Sequence, residues 1–446
     1  MSHKIAFVSL GCPKNQVDAE QMLYTLRSAG YEIVPEEAEA EVIIINTCGF
    51  IEDAKREAIE NIIEASHYKT QGKLKLLVVT GCLAERYRDD ITEEIPEVDM
   101  VVGIGSNEKI AELIEKALEG EVKNSYGEKF SLDLDGKRIL GGAPYSAYVK
   151  IADGCDNCCT YCAIPQIRGR FRSRKIENIV AEVEELARGG VSEIVVVAQD
   201  TTAYGIDLYG EYRLADLLRR LCKIEGIHWI RTLYTYPDKI TDDLLAAIRE
   251  EPKLCKYLDI PIQHCEDEVL RRMNRKGGKK ELLETLDRIR AAVPGITLRT
   301  TLIAGFPGET EEQYEKLCEF VKEQRFERLG CFAYSAEEDT PAAEFPNQIP
   351  EQEKIVRSEH VMEAQLLVAT EKNEERIGTE CEVLIEGYDN YIRCYYGRSQ
   401  HEAPEVDGKI FFLCDSPQVI GDYVTVRIND SMEYDLLGEM INESAE

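Results

Sequence analysis

Residues Asp153 to Lys175 read DGCDNCCTYCAIPQIRGRFRSRK. Four cysteines, Cys155, Cys158, Cys159 and Cys162, fall within eight positions, and Arg168, Arg170, Arg172, Arg174 and Lys175 follow. Thiols packed this closely oxidise or bind metal unless something holds them. Two soft-metal centres suit them, a zinc ion or an iron–sulfur cluster. Structural zinc takes two short Cys pairs held well apart, but here Cys158 and Cys159 adjoin and no second pair lies nearby. Taking Cys155-x3-Cys159-x2-Cys162 leaves one iron of a four-iron cluster without a protein ligand. A cluster that only carries electrons uses all four. Structural thiols are the plain alternative, and Cys158 stays open as a replacement for Cys159.

The rest of the chain is long enough for about three domains at 446 residues. Its 15 cysteines are an odd number spread along the sequence. Met1 to Leu10 reads as a strand, not a signal peptide, and no run reaches membrane-spanning length. These features imply a reducing cytoplasm, with no membrane partner and cysteines used as ligands and core. A net charge of −31 repels nucleic acid at long range and suits a basic partner.

Residues 1–125 carry three β-branched runs, Lys4 to Leu10, Glu41 to Asn46 and Leu74 to Thr80, with Val98 to Gly103 as a fourth candidate. Amphipathic patterns such as Ala54 to Glu64 lie between them. Near-continuous apolar strands alternating with helices imply a parallel sheet covered on both faces. The first three runs lead into Gly11-Cys12, Cys48-Gly49 and Gly81-Cys82. Carboxyl ends of parallel strands share one edge, where ligands bind. Cys12, Cys48 and Cys82 are therefore expected to converge and to hold a second cluster with an open iron; three buried thiols are the alternative.

Residues 140–370 offer six strand candidates: Ala147 to Ile151, Glu193 to Ala198, Trp229 to Tyr234, Tyr257 to Pro261, Thr297 to Ile303 and Arg328 to Tyr334. Helical faces lie between, for instance Ile179, Val183, Leu186 and Ala187, then Leu214, Leu217, Leu218 and Leu221. Six βα units imply a partial (β/α)6 barrel of the TIM type, with its chemistry at the carboxyl ends. The cysteine cluster follows the first strand directly. The arginine run reads as a solvated turn, a counter-charge to cluster and carboxylates, or a clamp for an acidic group; its position favours the counter-charge. His264 reads as structural. Residues 374–446 change to short alternating strands punctuated by Gly387, Gly408 and Gly421, which implies a small antiparallel β-barrel. This segment holds 17 acidic and 5 basic residues, a net of −12, and so fits a basic protein better than RNA.

The Cys155/Cys159/Cys162 spacing with Tyr161 resembles the radical S-adenosylmethionine (SAM) enzymes. GCPKNQVDAEQML and NTCGFIEDAKREAIENI resemble the amino-terminal domain of the methylthiotransferases, and 374–446 resembles a TRAM domain. With VTGCLAERY, YLDIPIQH and GRSQHEAPEVDG, the resemblance covers essentially the whole chain. It is nearest the branch that methylthiolates the β-carbon of an aspartate in protein twelve of the small ribosomal subunit.

The resemblance implies two 4Fe–4S clusters, on Cys12/Cys48/Cys82 and Cys155/Cys159/Cys162, and two uses of SAM. One SAM methylates sulfur at the first cluster. The other is cleaved at the second, giving a radical that takes hydrogen from the aspartate. It further implies SAM contacts at Tyr161, Gln199, Asp200, Gln263 and Gly305, and a flavodoxin- or ferredoxin-like reductant. The sister branch, which modifies C2 of N6-isopentenyladenosine in tRNA, is the nearer alternative. A non-enzymatic iron–sulfur carrier is the more distant one.

Overall fold

The valine- and isoleucine-rich runs near the start of the chain form the strands that their composition implies. The computed structural model describes residues 3–121, 124–414 and 416–441. β1 (Lys4–Ser9), β2 (Glu32–Ile33), β3 (Val42–Thr47), β4 (Leu76–Gly81), β5 (Met100–Val102) and β6 (Asn124–Ser125) build one parallel sheet, ordered β2-β1-β3-β4-β5-β6. Successive residues of β3 feed opposite layers. Ile43 and Ile45 pack with Ala58 and Ile62 of helix Glu52–Ser66, while Val42 and Ile44 pack with Met22 and Leu26 of helix Pro13–Ser28. Burial on both faces is why the strand reads as unbroken apolar sequence. Strand order reverses between β1 and β3, and such a reversal leaves a crevice at the carboxyl ends. β2 and β6, two residues each, carry no periodicity that could be read in advance.

All six strands expected in the middle segment form. β7 (Ser146–Lys150) leads to a two-stranded antiparallel ribbon of β8 (Ala152–Asp153) and β9 (Arg172–Ser173), which closes the cysteine-bearing loop. β10 (Glu193–Val197), β11 (Trp229–Thr232), β12 (Tyr257–Asp259), β13 (Thr297–Ala304) and β14 (Arg328–Ala333) follow. β7-β10-β11 and β12-β13-β14 are parallel sheets, joined where Ile230 bridges Leu254 just ahead of β12. Outside this arc, Ile179, Val183 and Leu186 of one helix and Leu214, Leu217, Leu218 and Leu221 of the next pack on Ile194 and Val196. Helix Glu351–Glu374 then leads to the last segment.

That segment is a closed barrel of β15 (Glu380–Asp389), β16 (Cys394–Arg398), β17 (Ile410–Leu413), β18 (Tyr423–Met432) and β19 (Asp435–Met440), ordered β15-β16-β17-β19-β18. It is not purely antiparallel as expected, because β19 pairs with β17 in parallel. β19 went unread because Asp435, Gly438 and Glu439 interrupt its apolar alternation. Of the segment 374–446, residue 415 and residues 442–446 lie outside the described residues, as do residues 1–2 and 122–123 of the segment 1–125.

The connection between β16 and β17 plugs the amino end of the larger arc. Arg231 donates to the carbonyls of Gln400 and Ser399. Tyr257 donates to Asp407 at 2.6 Å, Thr297 meets His401 at 2.8 Å, and Arg328 donates to Glu402 at 2.8 Å. Glu193, Tyr257, Thr297 and Arg328 are the first residues of their strands. Ala403 and Leu384 join Val195 and Val197 in one apolar cluster.

Beside the plug, Arg398 grips Glu193 with two bonds of 3.0 and 2.7 Å. Burial pushes the Glu193 carboxyl up, but Arg398, Arg231 and Ser146 outweigh it and hold it at about 2. A carboxylate whose pKa is lowered on folding stabilises above its unfolded pKa, about 4.3, and stops doing so as pH falls through its folded value. The shift corresponds to about 3 kcal/mol. The stability advantage of the native chain over Glu193→Gln should therefore shrink as pH falls from about 5 toward 2. Urea denaturation at a series of pH values measures this; an advantage constant over that window would remove Glu193 as a docking charge.

Candidate active site

Cys12 is the N-cap of helix Pro13–Ser28, Cys48 lies between β3 and helix Glu52–Ser66, and Cys82 opens helix Cys82–Tyr87 straight from β4. All three stand at the carboxyl edge beside the crevice. The neighbouring glycines let the three loops close on one another. A Cβ on Gly11 would sit 2.9 Å from Cys48 Cβ, one on Gly49 2.8 Å from the Leu83 backbone, and one on Gly81 2.4 Å from the Thr47 carbonyl. Gly81 also has φ +93°, a value L side chains rarely adopt. Gly81→Ala should therefore lose about 2–4 kcal/mol of stability. Chemical denaturation checks this; a loss below about 0.5 kcal/mol would mean the turn yields freely.

Arg168 reaches this edge from the middle segment. It donates to Asp18 at 2.6 Å, Asp153 at 3.2 Å, Asn15 at 3.2 Å and Cys82 Sγ at 3.5 Å, and Lys150 pairs with both aspartates. Of the arginine run it is Arg168 that serves as the counter-charge. Arg172 and Arg174 instead fix the chain around residues 130–135, through the Phe130 and Leu132 carbonyls and through Asp135.

Burial pushes Cys48 up to about 12, with Cys82 and then Cys12 adding to it. Cys82 is raised by burial against the pull of Arg168. Burial also raises Cys12, but Lys14 and Arg168 outweigh it and hold that thiol below its ordinary value. Cys12 opposes the ionisation of Cys48 and Cys82, and such a set fits ligands whose missing positive charge a metal centre would supply. Among the described residues no three His, Cys, Asp or Glu side chains group tightly enough for a single metal ion. A four-iron cluster, by contrast, takes its thiolates on separate irons.

The second triad sits in the loop closed by the β8–β9 ribbon. Cys159 is buried, with Sγ 3.4 Å from the Tyr236 hydroxyl and 3.9 Å from an Arg275 guanidinium nitrogen. Arg275 also lies 3.8 Å from the Tyr236 ring centroid. Burial lifts Cys155 to about 11 and raises Cys162, with Cys159 adding to each. Cys158 is exposed, has φ +50° and is held through its carbonyl by Asn274. The geometry thus brings Cys155, Cys159 and Cys162 together and turns Cys158 outward.

The other sequence candidates divide. Tyr161 packs against Val269, Met273, Phe306 and Tyr334, beside the triad. Gln199 donates to Asp153 at 2.8 Å and leaves its buried Oε1 without a partner among the described residues. Gln263 is buried with φ +73°, its backbone paired to Thr301 and Ile303. Asp200 is taken up by the protein: it caps the turn Thr201–Ala203 and receives bonds from Thr202, Asn157 and Lys239. Gly305 makes no open room either, since a Cβ there would meet Lys354 at 2.6 Å. His264 is buried against Glu309, in keeping with a structural role.

Tyr236 and Arg275 at the second triad were missed as functional candidates, and so were Lys14 and Tyr234. Lys14 is only 8 % exposed and lies 3.5 Å from the Tyr234 ring centroid. Tyr234 stands two positions before Tyr236, so one short segment touches Lys14 beside the first triad and Cys159 in the second. The only signal in sequence was YTYPD after a barrel strand.

Three family profiles match the chain: "Uncharacterized protein family UPF0004" at residues 4–103, "Radical SAM superfamily" at 149–321 and "TRAM domain" at 377–441. A Desulforamulus reducens protein, "Ribosomal protein uS12 methylthiotransferase RimO", is 49% identical over 439 residues, 98% of this chain and 99% of that one. Proteins of the same name from Geobacter sulfurreducens and Clostridioides difficile are 48% and 47% identical, covering 98% and 99% of this chain and 99% and 100% of theirs. The chain belongs to the radical SAM methylthiotransferase family. Among solved structures, the radical SAM methyltransferase TsrM of Kitasatospora setae aligns at TM-score 0.58 and 14% identity, covering 77% of each chain. The cobalamin-dependent radical enzyme OxsB aligns at 0.52 and 14%, covering 81% of this chain and 56% of its own. These two likenesses speak to fold alone. As a radical SAM methylthiotransferase the chain is an enzyme that uses 4Fe–4S clusters and SAM. No helix among its described residues is long and apolar enough to cross a membrane.

Proposed function

We propose that this methylthiotransferase transfers a methylthio group to the β-carbon of an aspartate in ribosomal protein uS12, working in the cytoplasm in three functional segments, 1–125, 140–370 and 374–446. Cys12, Cys48 and Cys82 would hold one 4Fe–4S cluster, and Cys155, Cys159 and Cys162 the other. Tyr161, Gln199, Asp200, Gln263 and Gly305 are the candidates for holding SAM, Asp200 and Gly305 being already bonded within the protein. When bound, the clusters and SAM supply the one-electron and sulfur-transfer chemistry.

The observation that carries the choice of substrate is Lys14. The other buried cations near this edge, Arg168, Lys150 and Arg138, face carboxylates; Arg275 at the second triad is held instead by Tyr236, Cys159 and the Pro261 carbonyl. Among the described residues Lys14 has no carboxylate within ion-pair distance; it meets the Tyr234 ring and Cys12. A buried cation whose only charged neighbour is a cluster thiolate fits an incoming aspartate side chain. A neutral adenosine would leave it with that thiolate alone.

The acidic last segment supports a basic protein partner less strongly than its net charge suggests. Glu386 and Glu402 are turned inward onto arginines, and Asp407 onto Arg299 and Tyr257. Arg168 and Lys14 would shield the first cysteine triad, while Arg275 and Tyr236 would close the second against water.

Mass spectrometry with the reconstituted enzyme, SAM, a reductant and a sulfur source tests this on uS12 and on unmodified tRNA in parallel. A methylthio mass gain on a uS12 aspartate is the expected result. The same gain on adenosine, with none on uS12, makes it the tRNA enzyme. Failure of the cluster-loaded chain to cleave SAM at all would return it to a non-enzymatic carrier.

A further inference from the structure

The strands of a parallel barrel are ordinarily buried on both faces. β7 beyond Ser146, β10, β11 and β12 are. β13 and β14 are not. Leu298, Leu302 and Leu329 are buried against the outer helices, whereas Arg299, Thr301, Ile303 and Gly330 are half-buried and Phe332 is 54% exposed. Arg299 and Arg328 reach Asp407 and Glu402 of the plug. Side chains alternate along a strand, so Thr301, Ile303, Gly330 and Phe332 share that inward face. Thr301 pairs with Gly330 and Ile303 with Phe332.

The roof over the arc stops short of this stripe. Helix Pro13–Ser28 lays Val17 on Val195 and Val197 and Lys14 on the Tyr234 ring, which covers the side of β10 and β11. Among the described residues β14 ends its sheet, with β13 as its one neighbour. Ile303 and Tyr161 pack against the same cluster, beside the second triad. The stripe therefore runs from solvent to that triad.

Gly330 stands in the middle of the stripe. Its pairing with β13 is regular and its φ is not left-handed. A Cβ there would meet the Phe332 ring at 3.6 Å and Arg299 at 3.9 Å, so a side chain has room. Neither bulge, turn nor crowding calls for glycine. A glycine inside a strand then marks a place where a ligand or another backbone comes close. The cations of this face are already paired. Arg299 donates to Asp259 at 3.0 Å and stands 3.6 Å from Asp407, and Arg328 donates to Glu402 at 2.8 Å. Nothing in the stripe answers the phosphates of a polynucleotide. An uncharged peptide main chain suits it.

We propose that this stripe seats the uS12 segment that carries the target aspartate, its main chain passing over Gly330 and an apolar neighbour of the aspartate lying on the Phe332 ring. The inference rests on the uS12 reading and deepens it. Lys14 answers the aspartate, and the stripe selects the sequence around it.

The test uses the full-length, cluster-loaded enzyme with Gly330→Val, Gly330→Ala and Phe332→Ala, and follows transfer at varied uS12 and at varied SAM. Valine suits a strand and fills the room over Gly330. KM for uS12 should rise at least about tenfold in Gly330→Val and Phe332→Ala and less in Gly330→Ala, while KM for SAM stays within about twofold. Alanine substitutions beside the aspartate in uS12 should weaken the native enzyme's KM and weaken that of Phe332→Ala less. Iron content reports folding; should Gly330→Val lose its iron, Phe332→Ala decides alone. An unchanged KM for uS12 in the folded variants overturns the proposal. So does a raised KM for SAM with none for uS12, which makes the stripe part of the SAM pocket. A native enzyme that modifies tRNA adenosine and not uS12 sinks the substrate reading itself, and the peptide occupant with it.

Discussion

Cys159→Ser should lose about four irons per chain and all SAM cleavage, whereas Cys158→Ser keeps both. The two residues are neighbours, and composition cannot separate them. The backbone does. Cys158 takes a left-handed conformation, its carbonyl is anchored by Asn274 and its side chain faces solvent. Cys159 faces inward to Tyr236 and Arg275 and raises the pKa of Cys155 and Cys162. A serine hydroxyl replaces a soft thiolate poorly at iron. Iron analysis and 5′-deoxyadenosine formation measure the outcome. The reverse pattern would shift the ligand set by one residue; retention of both in each variant would mean that neither is a ligand.

The second large effect is at Lys14. Lys14→Met should cut methylthio transfer to the aspartate by about 10- to 100-fold, the value of one buried charge-assisted hydrogen bond at about 1.5–3 kcal/mol. SAM cleavage uncoupled from transfer should persist, because Lys14 pairs with Tyr234 and lies beside the first triad, not the second. The decisive comparison uses uS12 carrying asparagine in place of the target aspartate. The native enzyme should discriminate strongly against it, and Lys14→Met should discriminate much less. Equal discrimination by both enzymes would leave Lys14 a mere shield of the first triad, and the substrate assignment would lose its main support.

The strands that position both triads were legible because apolar runs with β-branched residues have few other uses. Ile43 to Ile45 had to be buried on both faces, and the Gly–Cys pairs had to stand at one edge once the sheet was parallel. What could not be read was contact across long separations. Lys14 meets Tyr234, and Asp18 meets Arg168, because two domains dock, and no periodicity records docking. Polar residues at strand ends were equally silent. Asp200 and Gln199 adjoin in sequence, yet one caps a turn and holds Lys239 while the other leaves a buried oxygen unpartnered. Burial, not residue type, separates them. The net charge of the last segment pointed to a basic protein, although Glu386, Glu402 and Asp407 are paired inside the molecule and count in the sum without facing a partner.

The stretch from Ser399 to Gly408 changes what a shortened chain would mean. Cutting the chain ahead of the small barrel would not yield a working core that merely lacks a recognition module. It would leave Arg231 and Arg328 facing a hole, each stripped of its bonds to Gln400, Ser399 or Glu402. Opening that end to water also uncovers Val195, Val197, Trp229 and Tyr257, which Leu384 and Ala403 now cover. The small barrel is a keystone, and an exchange of carboxyl-terminal domains between relatives has to carry that stretch along with the residues it seats against.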